Sequence, residues 1–196
     1  LNILNPYAAS KLSAESYCMA FYESYDVPVT ILRYSNVYGI NQSPTSPYCG
    51  VVSKFFNSVL NGNHPQIHGD GEQTRDFTFV DDVVEATMLA ALSPKVVGEV
   101  LNVGTGKETS VRELVKLIIE TSGNNLEPEY IDRRDIDNLR RRVLNIEKIR
   151  KNLKWIPVTP LEAGIKKTFE WITSRQLKLQ KEIPFKMYLK REAGRI

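Results

Sequence analysis

The run Val27-Pro28-Val29-Thr30-Ile31-Leu32 constrains the fold more than any other stretch. A short, continuous, β-branched run of this kind suits a strand buried on both faces of a parallel sheet. It follows the segment from about Pro6 to Tyr25, where Ala8, Leu12 and Met19 recur at helical spacing and are expected to face a core. A helix leading into a buried strand makes an α/β layer the expected architecture. At 196 residues, 42% of them apolar, the chain is long enough for one ordinary core with an added lobe.

The alternation continues downstream. A helix is expected from Val51 to Leu60, an extended piece at Gln66-Ile67-His68 and a tight turn at Gly69-Asp70-Gly71. Thr74 to Val80 reads as a strand, after which Asp81 or Asp82 caps a helix ending near Leu92. Glu99 to Val103 is a further strand. Ser110 with Glu113, and Thr159 with Glu162, form capping-box patterns that open two more helices, the second with Pro160 at its first position. From Ile40 to Gly50 the composition is that of a loop, and the basic tail from Arg175 to Ile196 reads as a solvated extension.

Several classes of function are argued against. The net charge of +3 makes no case for nucleic acid. In the basic run Arg133 to Arg142, Asp135 and Asp137 would oppose phosphates and no aromatic interleaves, so an anionic small molecule or a solvated face fits better. Cys18 and Cys49 form neither a metal-ligand spacing nor a disulfide framework, which fits a reducing compartment. No apolar run approaches the ~20 residues of a membrane span and no signal peptide is evident, so a cytoplasmic protein is expected. His64 and His68 flank Pro65 in a loop and make no metal pair. Gly104-Thr105-Gly106 lacks the third glycine of a dinucleotide fingerprint, and no helix starts directly behind it. A hydrolase is excluded, since there is no Gly-x-Ser-x-Gly elbow or Ser-His-Asp order.

Three places carry chemistry. In Asn5-Pro6-Tyr7-Ala8-Ala9-Ser10-Lys11, Asn5 can cap a helix and Pro6 suits its first turn, which puts Tyr7 and Lys11 on one face. A cation beside a phenol favours the phenolate, the form a general base needs; the same spacing also serves ordinary surface pairs. Asn36 stands just past the end of the buried strand, where open α/β sheets hold ligands, and it is also a common turn residue. Arg75 follows a Gly-rich turn and has the fork geometry for a diphosphate, or else pairs with Asp76 or a neighbour.

Taken together, these stretches resemble an extended short-chain dehydrogenase/reductase of the NAD-dependent epimerase/dehydratase family. Four motifs occur in the family's order: Pro6-Tyr7-Ala8-Ala9-Ser10-Lys11; Leu32-Arg33-Tyr34-Ser35-Asn36-Val37-Tyr38-Gly39; Gly69-Asp70-Gly71-Glu72-Gln73-Thr74-Arg75-Asp76-Phe77; and Leu101-Asn102-Val103-Gly104. The likeness runs from about Leu4 to Trp171. The segment Ser43 to Val52 is most similar to UDP-hexose 4-epimerases, including those that accept N-acetylated sugars. The resemblance implies NAD as cofactor and a UDP-sugar as substrate. It implies Tyr7 as acid and base at the sugar 4-hydroxyl, with Lys11 on the nicotinamide ribose and Ser35 at the nicotinamide end. Asn36 and Arg75 would meet the sugar diphosphate, and Gln66 and His68 the uracil. The family's later Arg-x-x-Asp would fall on Arg134 and Asp137, with Arg133 and Asp135 as a rival alignment. A homodimer through a four-helix contact that includes the Tyr7–Lys11 helix is also implied.

The family's Gly-x-x-Gly-x-x-Gly turn, ribose-binding acidic residue and active-site Ser/Thr have no counterpart in these 196 residues. The expectation is therefore a carboxy-terminal part, with the amino-terminal NAD-binding half missing. Residues 1–39 and 75–104 would be a remnant of the Rossmann-type parallel layer, 40–74 and 105–174 a smaller α/β substrate-binding lobe, and 175–196 a basic extension. Alone, such a chain is expected to bind NAD poorly and turn over nothing. A nucleotide-sugar 4,6-dehydratase or decarboxylase, and a non-catalytic UDP-sugar-binding module, stand as alternatives. Which UDP-sugar is used stays open.

Overall fold

The computed structural model describes residue 3 and residues 5–42, 50–133 and 139–175. Segment 43–49, Arg134, Asp137 and the tail beyond residue 175 lie outside the described residues. In chain order the first elements are α1 (Pro6–Tyr25), β1 (Ile31–Tyr34), β2 (Asn36–Tyr38), α2 (Val51–Leu60), β3 (Gln66–His68), β4 (Thr74–Arg75), β5 (Phe77–Phe79) and α3 (Val80–Leu92). After them come β6 (Val100–Val103), β7 (Thr109–Ser110), α4 (Val111–Thr121), β8 (Glu129–Ile131), β9 (Arg141–Arg142) and α5 (Glu147–Leu153). Residues 161–175 are helical and form α6. Two compact units result: Leu1–Val37, Thr74–Thr109 and Leu139–Val158 make the first, and Tyr38–Gln73, Ser110–Asn138 and Thr159–Ile196 the second.

In the first unit, α1 starts where its cap predicts, with Ala8 N–H donating to Asn5 Oδ1 at 2.8 Å. It ends at Asp26, whose φ of 53° breaks the helix. β1 begins four residues later than the apolar run suggests, and it is not buried on both faces: Ile31 and Leu32 are half-buried, Arg33 and Tyr34 exposed. Val29 C=O already accepts from Gly98 N–H at 2.7 Å, and the regular ladder follows with Ile31 N–H to Glu99 C=O at 2.9 Å. β1 and β6 are parallel, Ile31 opposite Val100 and Tyr34 opposite Val103. α3 covers this pair with Val83, Ala86 and Ala90, against Leu101, Val103, Ile149 and Trp155, all buried. Residues 139–158, grouped with 105–174 on sequence, cluster with the first unit because β9 pairs with β4 and Ile149 and Trp155 enter this core.

Three local expectations need correction. Ala8, Leu12 and Met19 are only half-buried, and no residue of α1 is buried. Tyr17, Phe21 and Tyr25 on this helix are more than half exposed. Neither Asp81 nor Asp82 caps α3: the cap position is Phe79, and both acids lie in the first turn, where they face the positive end of the helix dipole. Asp82, 2% exposed, accepts instead from Val158 N–H at 3.2 Å. Thr74 to Val80 is not one strand, since Asp76 separates β4 from β5.

In the second unit, α4 opens with the expected capping box, Ser110 Oγ accepting from Glu113 N–H and the Glu113 carboxylate from Ser110 N–H. Hydrogen bonding by Ser110 holds the Glu113 carboxyl below its usual range. α2 and α4 pack together and bury Val52, Phe55, Phe56, Leu114, Val115 and Ile118. The Phe56 ring stacks on Phe169 of α6, centroids 5.9 Å apart. β3 and β8 pair in parallel around fully buried Ile67. Among the described residues no helix is long and apolar enough to cross a membrane.

Candidate functional site

Two contacts set the direction of α1 against the parallel pair. Tyr22 lies on Gly98, at the amino end of β6, so closely that a Cβ there would sit 2.6 Å from the Tyr22 ring. Seven residues earlier, Glu15 pairs with Arg33 near the carboxyl end of β1, Arg33 Nε donating to Oε2 at 2.8 Å. The helix therefore runs back along the sheet with its amino end beyond the strands' carboxyl ends. Lys11 and Tyr7 follow one and two turns past Glu15, up to about 12 Å further at 1.5 Å per residue. That is the side on which open α/β sheets hold ligands. Lys11 Nζ stands 5.5 Å from the Tyr7 ring centroid, and both side chains are exposed. A phenol and an ammonium so placed can reach a hydroxyl-bearing ligand together.

At the exit of β1, Ser35 N–H donates to Val103 C=O at 2.9 Å and Asn36 N–H to Asp76 C=O at 2.9 Å. The Ser35 hydroxyl lies 2.5 Å from that of Thr78, which is fully buried in β5. Arg75 sits on β4 beside β9, its Nη1 donating to the carbonyls of Thr74 at 2.7 Å and Leu139 at 3.0 Å. Nearby, Arg141 hydrogen-bonds Glu108 and holds that carboxyl below its usual range.

Asp76 explains why Gly104-Thr105-Gly106 is no phosphate loop. Successive backbone N–H groups make an anion-binding nest, and here the anion is already supplied from within the chain. Asp76 Oδ1 accepts from Thr105 N–H at 2.8 Å and from its hydroxyl at 2.6 Å, while Oδ2 accepts from Gly106 N–H at 3.0 Å. Gly104 is required by closeness, since a Cβ there would lie 2.5 Å from Asp76 Oδ2. The sequence offers Asp76 only as a possible ion-pair partner of Arg75, and Thr78 not at all. Their partners are 29 and 43 residues away, so no local spacing signals them.

In the second unit, Gln66 and His68 occupy β3 two residues apart, on one face of the strand. Gln66 Nε2 donates to Glu129 at 3.1 Å, and both line a recess of about 450 Å³ with Asn63 and His64. His68 Nδ1 faces the Asp132 carbonyl at 3.0 Å; a ring nitrogen facing a carbonyl can only donate, which sets the tautomer. The turn after β3 is braced by Arg112, which donates to Asp70 C=O and pairs with Glu72 at 2.9 Å. Among the described residues no group of three or more His, Cys, Asp or Glu side chains is placed to hold a metal ion. Tyr7, Lys11 and Ser35, all in the first unit, are the residues that could hold the nicotinamide end of a dinucleotide.

Residues 1–104 match the NAD dependent epimerase/dehydratase family. The chain is 41% identical over 172 residues to a putative UDP-glucose 4-epimerase of Methanocaldococcus jannaschii, covering 88% of this chain and 54% of that one. It is 42% identical over 174 residues to the dTDP-D-glucose 4,6-dehydratase of Bos taurus, covering 85% and 47%. Among solved structures, the UDP-glucose 4-epimerase of Thermotoga maritima with UDP-glucose is similar with a TM-score of 0.85 and 39% identity, over 89% of this chain and 55% of that one. The chain thus spans about half the length of the relatives it matches. With the motifs around Tyr7, Asn36, Arg75 and Gly104 all inside the matched residues 1–104, the chain belongs to the NAD dependent epimerase/dehydratase family.

Proposed function

We propose that the protein inverts C4 of a UDP-hexose, UDP-glucose/UDP-galactose or an N-acetyl form, through a 4-keto intermediate. The observation that carries this reading is the projection of Tyr7 and Lys11 beyond the carboxyl ends of β1 and β6, the side on which the chain leaves β1 through Ser35 and Asn36. Bound NAD would supply the reversible oxidation at C4. The Tyr7 phenolate takes the proton of the 4-hydroxyl and later returns it to the 4-oxygen of the inverted sugar. Lys11 stabilises that phenolate and holds the nicotinamide ribose, while the Ser35 hydroxyl orients the nicotinamide end. Asn36 and Arg75 hold the diphosphate, Arg75 as a planar fork. Gln66 and His68 take the uracil, and Arg134 with Asp137 is assigned to the later Arg-x-x-Asp. Residues 1–39 and 75–104, joined by 139–158, act as the cofactor-side layer, and the rest of 40–74 and 105–174 as the substrate-side lobe.

A second reading is supported by the equally similar mammalian relative, a 4,6-dehydratase. Both chemistries begin with the same oxidation at C4, so product analysis separates them. The native protein given NAD and UDP-glucose is expected to yield UDP-galactose. A 4-keto-6-deoxy sugar would replace this reading with the second one. Tyr7→Phe is expected to slow turnover roughly 10²- to 10⁴-fold while UDP binding persists; full turnover by this variant would overturn the role of Tyr7.

A further inference from the structure

Asp76 is 1% exposed, and among the described residues its carboxylate takes hydrogen bonds from neutral donors. A buried carboxylate is costly unless its oxygens are satisfied. Here each oxygen takes two donors: Thr105 N–H and Oγ–H on Oδ1, Gly106 N–H and, at 3.4 Å, Leu144 N–H on Oδ2. The same residue's backbone carbonyl takes Asn36 N–H. One residue thus ties together the exits of β1 and β6 and the chain just past β9. Its immediate neighbour is Arg75, whose guanidinium reaches the carbonyl that precedes β9 on the other side. No surface explains the charge, and none of the bonds merely caps a helix. The carboxylate holds the turn after β6 to the chain past β9, while the backbone of the same residue holds Asn36 and continues directly from Arg75.

We propose that Asp76 is a positioning residue for the sugar-nucleotide diphosphate, setting the relative placement of Asn36 and Arg75 by anchoring the 104–106 turn and Leu144. This role rests on the functional reading above. A bidentate Arg fork tolerates little angular error, and a misplacement of about 1 Å can cost up to about a hundred-fold. Only a carboxylate serves all four donors. An amide offers one acceptor oxygen, so whichever way Asn is turned, its NH₂ faces two donors. Asp76→Asn therefore pushes the turn and Leu144 away while keeping size and shape.

The test is steady-state kinetics with UDP-glucose and calorimetric titration with UDP, on the native protein and on Asp76→Asn. The expected result is a rise in KM and in the Kd for UDP of roughly ten- to a hundred-fold, with kcat within about three-fold. Thr105→Val removes only the hydroxyl side of the clamp and leaves the exposed Lys107 N–H to water. It is expected to shift the same constants in the same direction by less. A purely structural role would lower the melting temperature and the active fraction, leaving KM and Kd as in the wild type; that result in both variants overturns the proposal. If Asp76→Asn does not fold, an unchanged KM in Thr105→Val overturns it alone. A wild type that neither binds UDP nor turns over UDP-glucose overturns the functional reading and this role with it. Wild-type binding with unaffected variants overturns the role only.

Discussion

Gly104→Ala measures how hard Asp76 holds its surroundings. The φ of Gly104 lies outside the left-handed region, so alanine meets no backbone strain there, and any penalty comes from contact. The added Cβ would lie 2.5 Å from Asp76 Oδ2, short of the 3.0 Å that real Cβ contacts respect, and 3.2 Å from the Leu144 Cβ. Relief requires Oδ2 to retreat, which breaks its bond from Gly106 N–H at 3.0 Å and the longer one from Leu144 at 3.4 Å. A hydrogen bond to a charged group contributes about 1.5–3 kcal/mol, so the loss comes to roughly 2–4 kcal/mol with the second bond counted as weak. Alanine returns about 0.4–1 kcal/mol by narrowing the unfolded ensemble. The net cost is about 1.5–3 kcal/mol. Urea denaturation followed by tryptophan fluorescence reads it, with Trp171→Phe in the background so that buried Trp155 reports on the first unit alone. In an Asp76→Ala background the Cβ has room, and the same substitution is expected to be neutral or slightly stabilising. A cost below about 0.5 kcal/mol, or the same cost in both backgrounds, would refute the clamp.

Two further outcomes follow from the second unit. Phe56→Ala removes a fully buried ring stacked on Phe169 and is expected to cost about 3–5 kcal/mol, read by the Trp171 signal. Glu113→Ala opens the capping box of α4, costing about 1 kcal/mol at neutral pH. Because the folded protein holds Glu113 below its ordinary 4.5, its contribution is complete above that value and fades as pH falls through the lower folded value. The stability gap between variant and wild type should therefore close on acidification, and a gap constant to pH 3 would count against it.

What could be read from the sequence was local. Asn5 and Pro6 announce the start of α1, and Ser110 with Glu113 announces α4, because each signal and its partner lie within one helical turn. Tyr7 and Lys11 were visible as a spacing, but their place beyond the strand ends depends on Glu15 meeting Arg33, 18 residues on, and on Tyr22 meeting Gly98. Asp81 and Asp82 look like caps, yet the chain leaves β5 at buried Phe79 and enters the helix two or three residues earlier, at Val80. The β-branched run at Val27 reads as a buried strand of a parallel sheet; the parallel pairing is there, but the strand starts only at Ile31 and is half-buried to exposed, with the Thr30 hydroxyl turned to Val96 C=O ahead of it. Asp76 reads in sequence as a possible partner of Arg75, because nothing local announces that its carboxylate serves Thr105, Gly106 and Leu144 instead.

The parallel pairings have a consequence for how the chain is made. They join positions 31 with 100, 66 with 129 and 74 with 141, each more than 60 residues apart. Contacts of such range fold slowly, since a long loop must close before any pairing rewards it. At a synthesis rate of about 5–20 residues per second, β1 leaves the ribosome about 3–13 seconds before β6 is available. Through that interval an apolar, β-branched segment waits with its β6-side edge unoccupied, the condition in which strands join the wrong neighbour. Asp26, Pro28 and Arg33 sit within and beside it, where charge and a missing N–H discourage mispairing. Asp26 and Arg33 also serve the finished fold, the one ending α1 and the other pairing with Glu15.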